Sequence, residues 1–240
     1  MATITATVRE NLIGIYMGMF KTAPGADAVS EMVVMWQAGK NQKQIAAELA
    51  KKPGFTAEYP QLQLPIEFAD EVVAWLISEA TSAGKSWATN WIITKVNAGV
   101  SKSDIIVEAV LALRVATNTT DFGNAKANLN NKIEVGVHYA VTKDLKNDSA
   151  EAIADVTSAA ATVTTAKSEI NDEASAATGQ TFTLTASSAS VVEGNSGTTV
   201  LSYSLQLDRA PTEAVTVNVA TTGGTATAGV DYVPVSSSVT

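Results

Sequence analysis

Cysteine is absent from the 240 residues, which excludes disulfide staples, thiolate nucleophiles and thiolate metal ligands. Histidine is nearly absent. His138 stands alone, with no second histidine and no sequence-local acid pair to complete a zinc set, and it reads as a structural residue. Basic residues are scarce, 16 against 24 acids, for a formal net charge of −8. Residues 1–179 hold 15 bases and 20 acids, and residues 180–240 hold 1 base and 4 acids. Neither part has the basic stripe that a phosphate backbone requires, so nucleic acid is not an expected partner. Long apolar runs are lacking too. In MATITATVRENLIGIYMGMF, Arg9, Glu10 and Lys21 frame a run too short and too poorly flanked for a signal peptide or a spanning helix. The expectation is a protein that stays inside, or that leaves by a route reading its C-terminus.

Catalytic signatures are missing as well. There is no Gly-rich phosphate loop after a strand, no nucleophile elbow and no cluster of histidine with carboxylates. Asp70 and Glu71 are adjacent and so do not face each other on a helix, while Glu31, Glu48 and Glu79 fall on polar faces. An enzyme is not expected.

What is present changes character near residue 176. Before it come Ala-rich amphipathic segments with all four Trp; after it, Thr/Ser/Val alternation. In DAVSEMVVMWQA, Val29, Met32, Val33 and Trp36 share one face at helical spacing. Asn41 with Gln44 is a capping box opening a helix on Ile45 and Leu49, which Pro53-Gly54 is expected to stop. Pro60 and Pro65 bracket an extended loop. Phe68, Val72, Leu76 and Ile77 mark another helix, with Gly84 expected at its end. Trp87, Trp91, Ile92 and Val96 line the next, and Ser101 with Asp104 caps one carrying Ile105, Ala109, Val110 and Leu113. The Trp, Met and Phe side chains match the core stripe of each segment and are read as core.

WQAGKNQKQIAAELA and ITKVNAGVSKSDIIVEAVLA are matching pieces of a degenerate internal duplication. A longer helix over 122–141 carries Phe122, Ala125, Leu129, Ile133, Val137 and Val141 as one stripe, and residues 150–172 form weaker Ala/Thr-rich helices. The predicted organisation is an all-α domain with a degenerate helical repeat over 1–172 and a connector over 173–180.

IYMGMFKTAPGADAVSEMVVMW followed by AGKNQKQIAAELAKKPGF resembles the opening of a helical domain found in bacterial type-I-secreted and surface-layer-like proteins. Tyr16, Phe20, Pro24 and Trp36 fit the family pattern. Lys21-Thr22 stands where Gly-Arg is usual, and Gly25-Ala26 interrupts the Pro-Asp step. NLNNKIEVGVHYAVTKD and VTSAAATVTTAKSEI resemble later family segments. The resemblance implies a structural, extracellular protein at a bacterial cell surface, exported by type I secretion. Its helical domain would anchor it to the outer membrane through lipopolysaccharide or another surface glycan, and self-assembly into an array is an implied partner relation; an acidic domain and an anionic glycolipid repel, so divalent cations are the expected bridge. The alternative is a spacer or binding module of a large secreted adhesin or hydrolase.

In the tail, Leu201, Tyr203, Leu205 and Leu207 alternate with polar residues, as do Val215, Val217 and Val219. Period two between Gly- and Pro-containing turns predicts an immunoglobulin-like β-sandwich over 181–240. About three or four strands are legible where about seven close such a fold, so the sandwich is expected to be truncated. SVVEGNSGTT…LSYSL and VTVNVATTGGTATAGVDYVPVS resemble the first half of a Calx-beta domain. That resemblance implies calcium as cofactor and places candidate ligands at Glu193 and Asp231. Calcium takes about six to eight oxygens, so two carboxylates are an incomplete set.

Overall fold

The structure is a computed structural model that describes residues 4–177, 184–187, 189–190, 197–207 and 216–239. The chain separates into two compact units, Met1–Thr178 and Gly179–Thr240.

The first unit is helical and is organised on α1 (Ala6–Phe20), in which every residue from Leu12 to Met19 is buried. A helix that is apolar on all sides belongs inside a core. The short run that cannot span a membrane is therefore the central pillar. The Thr5 hydroxyl caps its start by accepting the Val8 amide at 3.2 Å, and Lys21 ends it in a left-handed conformation, φ 55°.

Two cycles follow. The first contains α2 (Ala26–Gln37) and α3 (Gln42–Leu49), then a short α4 (Pro53–Glu58); the second contains α5 (Pro65–Leu76), α6 (Ser82–Asn97) and α7 (Lys102–Arg114). The turns joining α2 to α3 and α6 to α7 share one geometry. Gly39 and Gly99 both take positive φ, 88° and 77°. Lys40 donates its amide to the Met35 carbonyl and Gly39 to Trp36; Val100 donates to Lys95 and Gly99 to Val96. Each is a Schellman turn, in which the left-handed residue lets two amides satisfy the last helical carbonyls. Asn41 and Ser101 then accept from Gln44 and Asp104 at 3.0 and 3.1 Å, so a new helix opens two residues after each glycine.

Some boundaries differ from expectation. Pro53 does not end a helix; it occupies the first turn of α4, where its missing amide hydrogen is no loss. Gly84 lies in the first turn of α6, beneath Asp121 and Phe122, and not at the end of α5. α8 (Thr119–Val137) continues into a π-turn, His138–Thr142. Strict four-residue steps along it precess by about 40° each against a 3.6-residue period, which carries Val141 to the surface while Gly136, Tyr139 and Ala140 turn inward. A 3₁₀ turn, Glu151–Ile153, leads to α9 (Ala160–Ala177), so residues 173–177 of the expected connector are helical. Their Ala-rich sequence favours helix, and buried Ala174 holds that end down.

The chain around Ala23 is joined to the segment after α8. Ala23 and Ser149 exchange amide–carbonyl bonds of 2.9 and 3.0 Å, and the Ala26 amide donates to Leu145 at 2.7 Å. The Asp148 carboxylate accepts from the Tyr16 hydroxyl at 2.5 Å and the Gly25 amide at 2.8 Å. Burial and this carboxylate together push the Tyr16 phenol well above its ordinary range. Tyr16 leads an aromatic series through Phe20, Phe55, Tyr59 and Phe68, with successive centroids 4.5, 6.4, 5.3 and 5.4 Å apart.

The second unit contains an antiparallel pair of β1 (Leu184–Ala186) with β2 (Leu205–Leu207) and another of β3 (Val217–Ala220) with β4 (Ser236–Val239). Leu184 faces Leu207, and Val217 faces Val239. The arrangement is unclosed. Along β3, Val217 and Val219 are half-buried and alternate with exposed Asn218 and Ala220, as period two requires. Among the residues of this unit whose burial is described, none is buried.

One carboxylate clamps three helices. Glu108 on α7 accepts from Lys43 of α3 at 2.7 Å and Lys95 of α6 at 2.8 Å. Those hydrogen bonds hold its carboxyl below the ordinary glutamate range. A depressed folded-state value contributes stability above the ordinary range and loses it as pH falls through the folded value. The site is largely solvated, so Glu108→Gln is expected to reduce stability at pH 7 by about 1 kcal/mol or less. Urea melts of both proteins should converge as pH falls below the ordinary glutamate range and through the lower folded-state value.

Candidate functional site

The helices α5, α6, α7 and α8 line a half-open cavity of about 610 Å³. Its walls include Val72 and Leu76 from α5, Trp87 and Trp91 from α6, Ala109 from α7 and Phe122 from α8. The volume falls in the range of roughly 300–1,000 Å³ usual for small-molecule sites. It exists because α6 offers large side chains where the facing chain offers small ones: Ala109 and Ala112 of α7 and Ala116 just beyond it recur at three- to four-residue steps and leave the facing space unfilled.

Trp87 overturns the expectation that the tryptophans are core residues. It is 61 % exposed and meets Phe122 edge-on at 5.9 Å. Trp36, Trp75 and Trp91 are only partly buried, and the buried side-chain anchor of α6 is Ile92, 2 % exposed. Helical spacing placed Trp87 and Trp91 on one face, as it should. Spacing alone does not reveal whether the opposing helix fills the space in front of that face.

Thr117, Asn118 and Asp121 form the polar end of the cavity, where the N-termini of α6 and α8 meet. Asp121 accepts from the Thr81 hydroxyl at 2.6 Å and the Asn118 side-chain amide at 2.9 Å. The Asp121 backbone carbonyl also accepts the Thr81 amide at 3.1 Å, and the Asn118 side chain accepts the Asp121 amide at 3.1 Å. The Thr81 and Asn118 hydrogen bonds hold the Asp121 carboxyl below the ordinary aspartate range, so it is charged at neutral pH.

A second depression of about 690 Å³ lies over α1, α7 and α8 and contains Arg114. The guanidinium is engaged within the fold: it pairs with Glu10 at 2.7 Å and donates to Asn11 and Asn130. Its charge is neutralised where it sits. His138 Nε2 lies 2.9 Å from Asn171 Oδ1, a contact between the end of α8 and α9.

Of the two calcium candidates, Glu193 lies outside the described residues. Asp231 closes a local turn. Its Oδ2 accepts the Thr227 amide at 2.7 Å, its own amide donates to the Thr227 carbonyl at 2.9 Å, and Gly229 supplies a φ of 79°. Among the described residues, no three of His, Cys, Asp and Glu come together as a metal set, and no helix is long and apolar enough to cross a membrane. No family model, curated protein or solved structure matches the chain.

The two faces of α6 predict opposite responses. Ile92→Ala should cost about 2–5 kcal/mol, the range for truncating a buried aliphatic side chain. Trp87→Ala should cost less than about 1.5 kcal/mol, its edge contact with Phe122 being the main loss. Thermal melts of both variants check the ordering.

Proposed function

We propose that the chain is a non-catalytic, modular protein of a bacterial cell surface, with the helical unit as attachment element and the β unit as a Calx-beta-type module. The helical unit would take lipopolysaccharide, or another anionic surface glycan, through bridging divalent cations, calcium foremost.

The observation carrying this reading is how the unit uses its positive charge. Lys21, Lys40, Lys43, Lys51, Lys52, Lys95, Arg114, Lys146 and Lys167 are held in ion pairs with carboxylates of the same unit. Lys102 and Lys126 donate to the Pro60 and Ala116 carbonyls at 2.6 and 2.9 Å. Those cations are spent inside a unit that already carries more acids than bases, so a phosphorylated glycan would meet net repulsion. A divalent cation shared between carboxylate and phosphate oxygens reverses that sign. The separation into two compact units supports the modular part of the reading. In the β unit, calcium at Glu193 and Asp231 would need further oxygen ligands, because Asp231 already uses one oxygen to hold its turn.

The test is retention of the labelled 240-residue chain on Gram-negative-type cells stripped of their own surface protein. Attachment in millimolar calcium, release by chelator, and no attachment to lipopolysaccharide-deficient cells are the expected results. Retention that survives chelation removes the cation bridge. No attachment in either condition leaves the spacer reading.

A further inference from the structure

The cavity between α5, α6, α7 and α8 has a composition that selects a ligand independently of surface attachment. Its walls are apolar, and no lysine, arginine or histidine lines it. Lys126 reaches the same end of α7, but it donates to the Ala116 carbonyl and is not part of the lining. Water against such walls makes few hydrogen bonds, so displacing it by an apolar body is favourable in proportion to the area covered.

The polar end decides the head group. Two helix N-termini converge there, an arrangement that ordinarily welcomes an anion. Asp121 is already that anion, fixed by Thr81 and Asn118. A second negative charge bound at that end would sit near the solvated Asp121 carboxylate, a like-charge encounter that water and salt weaken but do not reverse. A hydroxyl or ammonium group would instead find a carboxylate able to accept its hydrogen bond.

We infer that this cavity binds a small amphiphile with one apolar body and a hydrogen-bond-donating head, a long-chain alcohol or amine, and discriminates against the matching carboxylate. Trp87 and Trp91 would lie along the apolar body, Ala88 and Ala109 would set the width, and Asp121 would receive the head. The exposed position of Trp87 becomes understandable, because its indole forms one wall of a space that an apolar guest would complete.

The experiment uses the full chain and the neutral probe N-phenyl-1-naphthylamine, whose fluorescence rises in apolar sites. Decanol, decylamine and decanoate, equal in chain length, then compete for it. Decanol and decylamine should displace the probe at concentrations about tenfold or more below decanoate in low-salt buffer. Ala109→Leu and Ala88→Leu place extra volume on two different walls, and each should weaken probe binding by about tenfold or more with the helical spectrum unchanged. Asp121→Asn should bring decanoate to within about threefold of decanol. The inference is overturned if the probe does not bind, if decanoate competes as well as decanol with the unmodified chain, or if both leucine variants bind the probe normally. Should Asp121→Asn fail to fold, the three-competitor comparison on the unmodified chain still decides the head-group preference. A dimer that forms at probe-binding concentrations and dissociates in Ala109→Leu would assign the groove to a second copy and likewise overturn it.

Discussion

The helical unit depends on how closely other helices approach α1. A β-carbon on Gly14 would press on Ile133 and Val110, one on Gly18 would meet Ile106 and Val110, and one on Gly136 would collide with Met17. These glycines bring α7 and α8 against a pillar whose buried residues include Leu12, Ile13, Ile15, Met17 and Met19. Each β-carbon removed lets the facing side chain fill the space, and interiors are dense enough that a single methylene is felt. Helix propensity opposes glycine at an interior position by about 1 kcal/mol relative to alanine. The packing must more than offset that penalty, and the remainder of the unit is arranged around these contacts.

Charge is organised on the outside of the same frame. Glu108 ties α7 to α3 and α6, Arg114 ties α7 to α1 through Glu10, and Lys167 ties α9 to α8 through Glu134. Each solvated pair is weak. Their combined consequence is compositional: basic groups are distributed as internal partners, and the surface potential follows the acidic excess. The proposed need for a bridging cation and the proposed rejection of a carboxylate at Asp121 share this origin. One concerns the field of a whole unit and the other a single rim.

Much of the helical architecture was legible because it is written in local chemistry. Asn41 with Gln44, Ser101 with Asp104, and the glycines at 39 and 99 specify caps and turns from a few neighbouring residues, and the structure places them there. The β segment was legible as period-two alternation, and β3 shows it. β4 was not legible, since Ser236–Val239 lacks the apolar alternation that signals a strand; it pairs with β3 through its backbone and a Ser238–Asn218 side-chain hydrogen bond of 2.7 Å. The role of α1 was illegible for a different reason: nothing in its own short apolar run says that distant helices cover it on every side. Asp148 was hidden because its partners, Tyr16 and Gly25, are more than a hundred residues away. The cavity was equally illegible, since a void is a property of two facing surfaces and no single segment encodes it.

The construction of the rim explains why that void persists. The α5–α6 hairpin could close the space by moving its C-terminal half toward α7, but its entry into α6 is fixed. The Thr81 amide and hydroxyl both bind Asp121, while Asn118 and Asp121 cap and restrain the start of α8. Gly84 lies against Asp121 and Phe122 in that corner, where a β-carbon would be 3.1–3.2 Å from both residues, tighter than ordinary contact. At the other end, Lys95 holds α6 to Glu108 at 2.8 Å. With both ends of α6 tied, moving its middle into the small-residue face of α7 would strain these contacts. Closing the space would bury apolar area but would strain the Thr81 and Asn118 bonds to Asp121, each a modest contribution because the carboxylate is solvated. The polar contacts at its two ends set where α6 enters and leaves, and the space lies between those two anchored points and the small residues opposite.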